Sequence, residues 1–330
     1  RAPPRRARAS TSPHRDAAPL SAESKMRRVF ASSAVASRRM PRVTARAATR
    51  ARAFVCGLLT RIARARASDR DWRRFRSPPF DGRPCTVPRA SVDELSLETF
   101  ARTFESAETP VVVTGLGARR TGFVERVERG ALLRELGAAT VTLSSANAHS
   151  RGKLRKSLRG YVEEDVAAKR RTDGKEDASE IWYWFGDHVE SDGTMSNGFE
   201  TLFGAYDDLE YVGDANVAYS FGVGGQFSGV PMHTHGPGWS ESLIGRKHWF
   251  LAPPDATPNF DPNVTAYAWA LEALRRGDVR DGEGGILECT VNAGEAIYFP
   301  PNWWHATVNL DESVFISSFV NSVQRARDEL

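Results

Sequence analysis

The chain has 330 residues, 41% of them hydrophobic, with a formal net charge of +4, enough for one domain of roughly 200–250 residues plus a non-globular end. The charge excess belongs to an arm, since residues 25–67 hold many arginines and no Asp or Glu while the signs are mixed from residue 68 on, so a nucleic-acid groove is not implied. No apolar run approaches the roughly 20 residues a membrane helix needs.

Residues 1–70 form an arm without apolar periodicity. Read from Met40, with Met26 as the other candidate start, it has a positive beginning, a short apolar stretch from Ala53 to Leu59 and small residues after it, the layout of a secretory signal. An Arg-, Ala- and Ser-rich, acid-free stretch equally describes a plastid or mitochondrial transit peptide, or a disordered arm. The Pro-rich 77–89 then leads into a domain expected over roughly residues 80–325. Leu97, Phe100 and Phe104 stand at helical spacing and predict a helix over 96–108 starting at Ser96. A β-branched run predicts a strand over 110–116, followed by a short helix over 130–136 stopped at Gly137 and an alternating strand over 140–145. The charged 151–180 reads as a solvated helix and then a loop, and the aromatic 181–187 as core. Strands are expected over 215–223 and 230–235, then a hairpin from Ser242 to Leu251 turning near Gly245. An amphipathic helix over 265–277 ends at Gly277. Four short strands close the chain. Many short strands with Gly and Pro turns and few helices argue for a sandwich or barrel.

Two segments carry chemistry. In VPMHTH, His233 and His235 stand two apart on an expected strand, so both imidazoles point to one face. In Gly294-x5-Pro300-x4-His305-x3-Asn309 a third histidine arrives from a distant strand. Three histidines from two segments can meet at one metal ion. Of the three cysteines, Cys56 falls within the apolar stretch of the arm. Cys85 and Cys289 either pair in an oxidising compartment or stay as two buried thiols. Asn263-Val264-Thr265 is an N-glycosylation acceptor triplet, and the tetrapeptide Arg327 to Leu330, RDEL, looks like an endoplasmic-reticulum retention signal.

The Gly294 to Asn309 run resembles the second cupin motif, with Asn302 where that motif usually has Gly. His233-x-His235, the hairpin GRKHWFLAPP at 245–254 and the distal Trp303-Trp304-His305 are similar to the JmjC branch of the cupins. The resemblance, running from about Cys85 to about Phe319, implies an all-β fold with a few peripheral helices, a double-stranded β-helix or cupin/JmjC jelly roll. It also implies an endoplasmic-reticulum address and an Fe(II)- and 2-oxoglutarate-dependent oxygenase acting on a protein or peptide side chain. By the resemblance His233 and His305 are iron ligands. His235 stands where most of the family has Asp or Glu, which would leave the centre at +2 and motivates a rival expectation of a catalytically silent metal-binding protein that acts through interaction. Glu241 is a candidate fourth ligand, with a surface carboxylate as its alternative. Lys247 matches the lysine that grips 2-oxoglutarate, against an exposed turn lysine. Val230 replaces a family threonine, and Ser228, Tyr219 and Asn309 are candidates to compensate. Trp303 and Trp304 are expected to wall the barrel, and His248 to face away from Lys247.

Overall fold

The computed structural model describes residues 71–146, 152–169, 172–175, 181–186, 198–213, 217–280 and 285–320. The arm with Cys56 and the 327–330 tetrapeptide lie outside the described residues. The strands are β1 (Arg89–Ser91), β2 (Val111–Thr114), β3 (Thr140–Ser145), β4 (Lys153–Ser157), β5 (Trp182–Phe185), β6 (Val217–Gly224), β7 (Gly238–Ile244), β8 (Arg246–Ala252), β9 (Leu287–Asn292), β10 (Glu295–Phe299), β11 (Trp304–Asn309) and β12 (Ser313–Val320). They form a large sheet in the order β1-β2-β10-β7-β12-β6-β5-β3-β4 and a small one in the order β11-β8-β9. All pairings are antiparallel except β1 with β2. The interleaved strand order and the two facing sheets are the expected jelly roll, mostly β with few helices.

Local chemistry explains most elements. Val111, Val112 and Val113 are fully buried and β-branched, as a strand inside a sheet favours. The helix Ala266–Arg276 opens on Thr265, whose hydroxyl accepts from the Ala268 N–H, and closes on Gly277 at φ 76°. Its buried Tyr267, Trp269, Ala270 and Ala273 pack on the outer face of the small sheet against Phe250, Ala306 and Val308. The expected helix at Ser96 forms as Leu97–Phe100 and continues as a π-helical turn over Ala101–Glu105. It buries Phe100 but leaves Leu97 53% exposed.

Three expectations change. The charged stretch after residue 151 opens with strand β4, paired along β3, and its residues alternate between exposed and half-buried. Lys and Arg suit such a position because β4 ends the sheet, where charge discourages further pairing. Segment 230–235 is not a regular strand. It meets β11 through a single bridge, the His233 and His305 N–H groups donating to each other's carbonyls at 3.0 and 2.9 Å. Pro231 has no N–H for the ladder, and the register slips there, Thr307 N–H donating to Val230 O at 2.9 Å. Finally, the fold reaches back to Trp72, ahead of the expected start at 80. Trp72 is buried and donates its indole N–H to Val127 O at 2.9 Å. Arg73 pairs with Glu312, and Phe75 N–H donates to Asp311 at 2.8 Å. Ser77 donates to Leu310 O at 2.6 Å, and Arg246 joins Asp311 to Asp81. Residues 72–81 are thus a strap across the β11–β12 turn. Cys85 and Cys289 are joined as a disulfide across 204 residues, which stabilises by about 5 kcal/mol on a chain-entropy account.

Candidate metal centre

His233 and His305 are placed by their mutual bridge, and His235 by the Asn302 N–H, which donates to the His235 carbonyl at 2.8 Å. Asn302 takes φ 62°, a left-handed conformation that Asn tolerates better than most side chains, so it fills the place of the motif's glycine. Gly294 at φ 79° leaves room for Gly117, whose Cα would lie 2.8 Å from an added Cβ.

Each imidazole is oriented through Nδ1. His233 Nδ1 lies 2.7 Å from Pro231 O, His235 Nδ1 2.7 Å from Gly236 O and His305 Nδ1 2.8 Å from Trp303 O. A carbonyl only accepts, so each Nδ1 carries the hydrogen and each Nε2 keeps a lone pair. Ligand nitrogens of all three residues lie within 4.8 Å of one another, and the Nε2 atoms of His235 and His305 are 3.0 Å apart. Two lone pairs at that distance repel unless a cation lies between them. Nitrogens about 2.1 Å from one shared ion and at right angles would be about 3.0 Å apart. The donor set therefore fits a divalent transition metal. Burial, and then the neighbouring His235, lowers the His233 pKa to about 3. Burial also lowers His235, and burial plus the other two rings depresses His305 far below the usual imidazole value. All three rings are therefore neutral at physiological pH, the state in which an imidazole can ligate a metal.

The same pocket continues into the barrel as a cavity of about 30 Å³ lined by Ser240, Lys247, Trp249, Thr307, Ser317 and aromatic side chains. Lys247 lies on β8 opposite Asn309 and is 3% exposed, so it is not a turn lysine. Its ammonium sits 3.1 Å above the Phe315 ring and has no hydrogen-bond or ion-pair partner among the described residues. Burial alone holds its pKa well below the usual lysine value. Ser317 donates to Ser240 at 3.0 Å, and Thr307 Oγ1 accepts from Val230 N–H at 3.2 Å. The Ser240 and Thr307 hydroxyl hydrogens remain to be given to a ligand. A basic amine and hydroxyl hydrogens with no acceptor among the described residues suit an anion, which would hold the amine in its charged form. The space suits about one water, so a five-carbon dicarboxylate requires the aromatic floor to shift.

The other expected residues lie elsewhere. Glu241 follows Ser240 on β7 and so faces the opposite side of the sheet. There it is 1% exposed, paired with Arg120 at 3.2 Å and hydrogen-bonded by Tyr206 at 2.8 Å. It is neither a ligand nor a surface carboxylate. Burial raises its pKa, against the pull of Arg120 and Tyr206. Tyr219 is excluded by the same alternation: Ser220 is the residue paired with Ser317, and the Tyr219 hydroxyl donates to Asp208. Asn309 donates to Ser228 at 3.1 Å and Ser228 to Gly225 O at 2.7 Å, outside the histidine pocket. The Asn309 Oδ1 is buried without a partner among the described residues. His248 faces away from Lys247 as expected, fully buried between Thr290 and Glu288. Trp304 packs outward on Phe260, and the rings that stack on His305 are Phe299, at 5.2 Å, and Trp249, at 5.8 Å. Asn263 is exposed, its amide bonded to Asp261 at 3.0 Å. Ser240, Ser317 and Thr307 were not singled out in the sequence. Their signal is a small hydroxyl at an inward position of an otherwise apolar strand.

Residues 96–324 match the Cupin-like domain family, and the chain belongs to the cupin-like JmjC proteins. Within that family it is similar to JmjC domain-containing protein 8 of Homo sapiens, 39% identical over 238 residues, which is 72% of this chain and 84% of that protein. It also resembles the bifunctional arginine demethylase and lysyl-hydroxylase psr-1 of Caenorhabditis briggsae, at 23% over 274 residues (76% of this chain, 64% of that protein). A shorter match, 33% over 96 residues, is to the 2-oxoglutarate and iron-dependent oxygenase JMJD4 of Homo sapiens, covering 27% of this chain and 22% of that protein. No helix among the described residues is long and apolar enough to cross a membrane.

Proposed function

We propose that this protein is a metal-dependent JmjC oxygenase that takes Fe(II) and 2-oxoglutarate and hydroxylates a protein or peptide side chain in the lumen of the endoplasmic reticulum. One observation carries the reading: three Nε2 lone pairs converge at one end of a pocket that also holds a buried lysine with no ion-pair or hydrogen-bond partner among the described residues. His233, His235 and His305 would hold the iron, which supplies oxygen activation when bound. Lys247 would neutralise the distal carboxylate of 2-oxoglutarate, with Ser240 and Thr307 donating hydrogen bonds in place of the side chain lost at Val230. Trp249 and Phe299 flank the histidines and keep water from the centre. The relatives named as demethylase, lysyl-hydroxylase and oxygenase support the chemistry, and psr-1 supports a protein side chain as target. The disulfide and the exposed Asn263 support an oxidising, glycosylating compartment. A plastid or mitochondrion is the competing address.

Anaerobic titration of Fe(II)-loaded protein with 2-oxoglutarate tests the reading. Saturable binding that needs Lys247, and succinate release in air, are expected; absence of both would sink it. The narrow cavity and the missing carboxylate favour a second reading, a metal-binding protein without turnover. It expects metal uptake without 2-oxoglutarate affinity, and turnover gained by His235→Asp. Compartment is tested by imaging the tagged protein and by a glycosidase-sensitive mass shift that Asn263→Gln abolishes.

A further inference from the structure

The disulfide joins two sulfurs in unequal surroundings. Cys85 is half-buried at the surface, while Cys289 on β9 is fully buried. The Arg89 guanidinium lies beside the bond, its Nη1 3.5 Å from Cys289 Sγ and 3.9 Å from Cys85 Sγ. Its other nitrogen, Nη2, pairs with Glu295. Glu295 is itself fixed by the Asn292 backbone and side-chain amides at 2.9 and 3.0 Å. The guanidinium is thus held against the sulfurs by a clamp that does not depend on the disulfide.

We propose that Cys85–Cys289 is an exchangeable redox site for thiols, attacked at Cys85 and releasing Cys289 as a thiolate beside Arg89. An external thiolate bonds to Cys85 Sγ, the Cys85–Cys289 bond breaks, and its electron pair stays on Cys289 Sγ. A second thiolate then attacks the external sulfur of the mixed disulfide and frees Cys85. In sum two thiols become one disulfide, and the protein gains two electrons and two protons. Only one sulfur is open to attack, and the positive charge lies closer to the one that leaves, which is the arrangement that speeds exchange. The bond can also re-form. Thr86 remains tied to Glu288 through N–H to O at 2.8 Å and Glu288 N–H to Oγ1 at 2.9 Å. Arg83 remains paired with the Glu288 carboxylate. The two cysteines therefore stay side by side after reduction.

The test uses the full chain carrying Cys56→Ser, with glutathione as the thiol and intact-mass spectrometry as the readout. Reduction of the folded protein is expected, with Arg89→Gln slowing it by roughly three- to tenfold and Arg89→Lys restoring most of the rate. Glu295→Gln, which loosens the clamp but keeps the Arg89 charge, should slow it less than Arg89→Gln does. With Cys289→Ser added, Cys85 should form a mixed disulfide with glutathione disulfide. With Cys85→Ser added instead, Cys289 should not. Reduction only under denaturing conditions, an Arg89→Gln rate equal to the parent's, or a mixed disulfide on Cys289 would each overturn the proposal.

Discussion

Charge is buried in two ways in this protein. Outside the barrel, on the outer sheet faces and in the β11–β12 turn, every buried carboxylate described above has a cationic partner: Glu241 with Arg120, Glu288 with Arg83, Asp311 with Arg246, Glu312 with Arg73. Inside the barrel, among the described residues, no carboxylate lines the histidine pocket and Lys247 has no counter-ion. The outer pairs are complete and hold elements together. The interior set is incomplete, and an incomplete set of buried polar groups destabilises a fold unless something else binds there. The contrast separates structural charge from the basic group that the proposed function assigns to a ligand.

The contrast breaks most visibly at the three histidines. His305→Ala should lower affinity for Fe(II) or Zn(II) at least ~100-fold, and with it the roughly 2.7 kcal/mol of stabilisation expected at metal one hundred times above Kd. Metal analysis and thermal melts check both. Arg120→Ala should do the reverse, costing about 3–5 kcal/mol in urea unfolding by stranding Glu241 while leaving metal affinity unchanged. Lys247→Met should be neutral or stabilising by ~1–3 kcal/mol, because it removes a buried amine with no partner among the described residues, and should abolish 2-oxoglutarate binding by calorimetry. A Lys247→Met protein that unfolds readily would place Lys247 with the outer, structural charges.

The smallest effect is a pH dependence. Burial pushes the Glu288 carboxyl up, but hydrogen bonds from His248 and Arg83 outweigh it and hold the group below its ordinary value of 4.5. A folded pKa below the unfolded one stabilises above about 4.5 and loses that contribution as pH falls through the folded value. Glu288→Gln should therefore cost on the order of 1–2 kcal/mol at neutral pH. The difference from the parent should shrink as the medium is taken below pH 4.5, in urea titrations at fixed ionic strength.

Much of this was readable from the chain. The β-branched run at Val111, the Ser96 and Thr265 helix starts and the Gly277 stop are local signals with local causes, and they appear as expected. The histidines were readable because metal ligation imposes spacing on residue type. Glu241 was misplaced because the Gly236-Pro237-Gly238 turn breaks the alternation that would carry a face from His235 to β7. Arg120, its partner, lies 121 residues away and nothing local announces it. Tyr219 was misplaced because a strand's alternation shows which residues share a face, not which face is inward. The strap was missed for a related reason: Trp72 follows an arginine-rich arm, and its burial depends on residues more than fifty positions downstream.

That strap bears on how the protein is produced. A clone started at residue 80 would leave the two acids of the β11–β12 turn, Asp311 and Glu312, without Phe75 and Arg73, and would uncover the core beneath Trp72. Such a fragment should express as insoluble material, whereas one started at or before residue 71 keeps the barrel sealed.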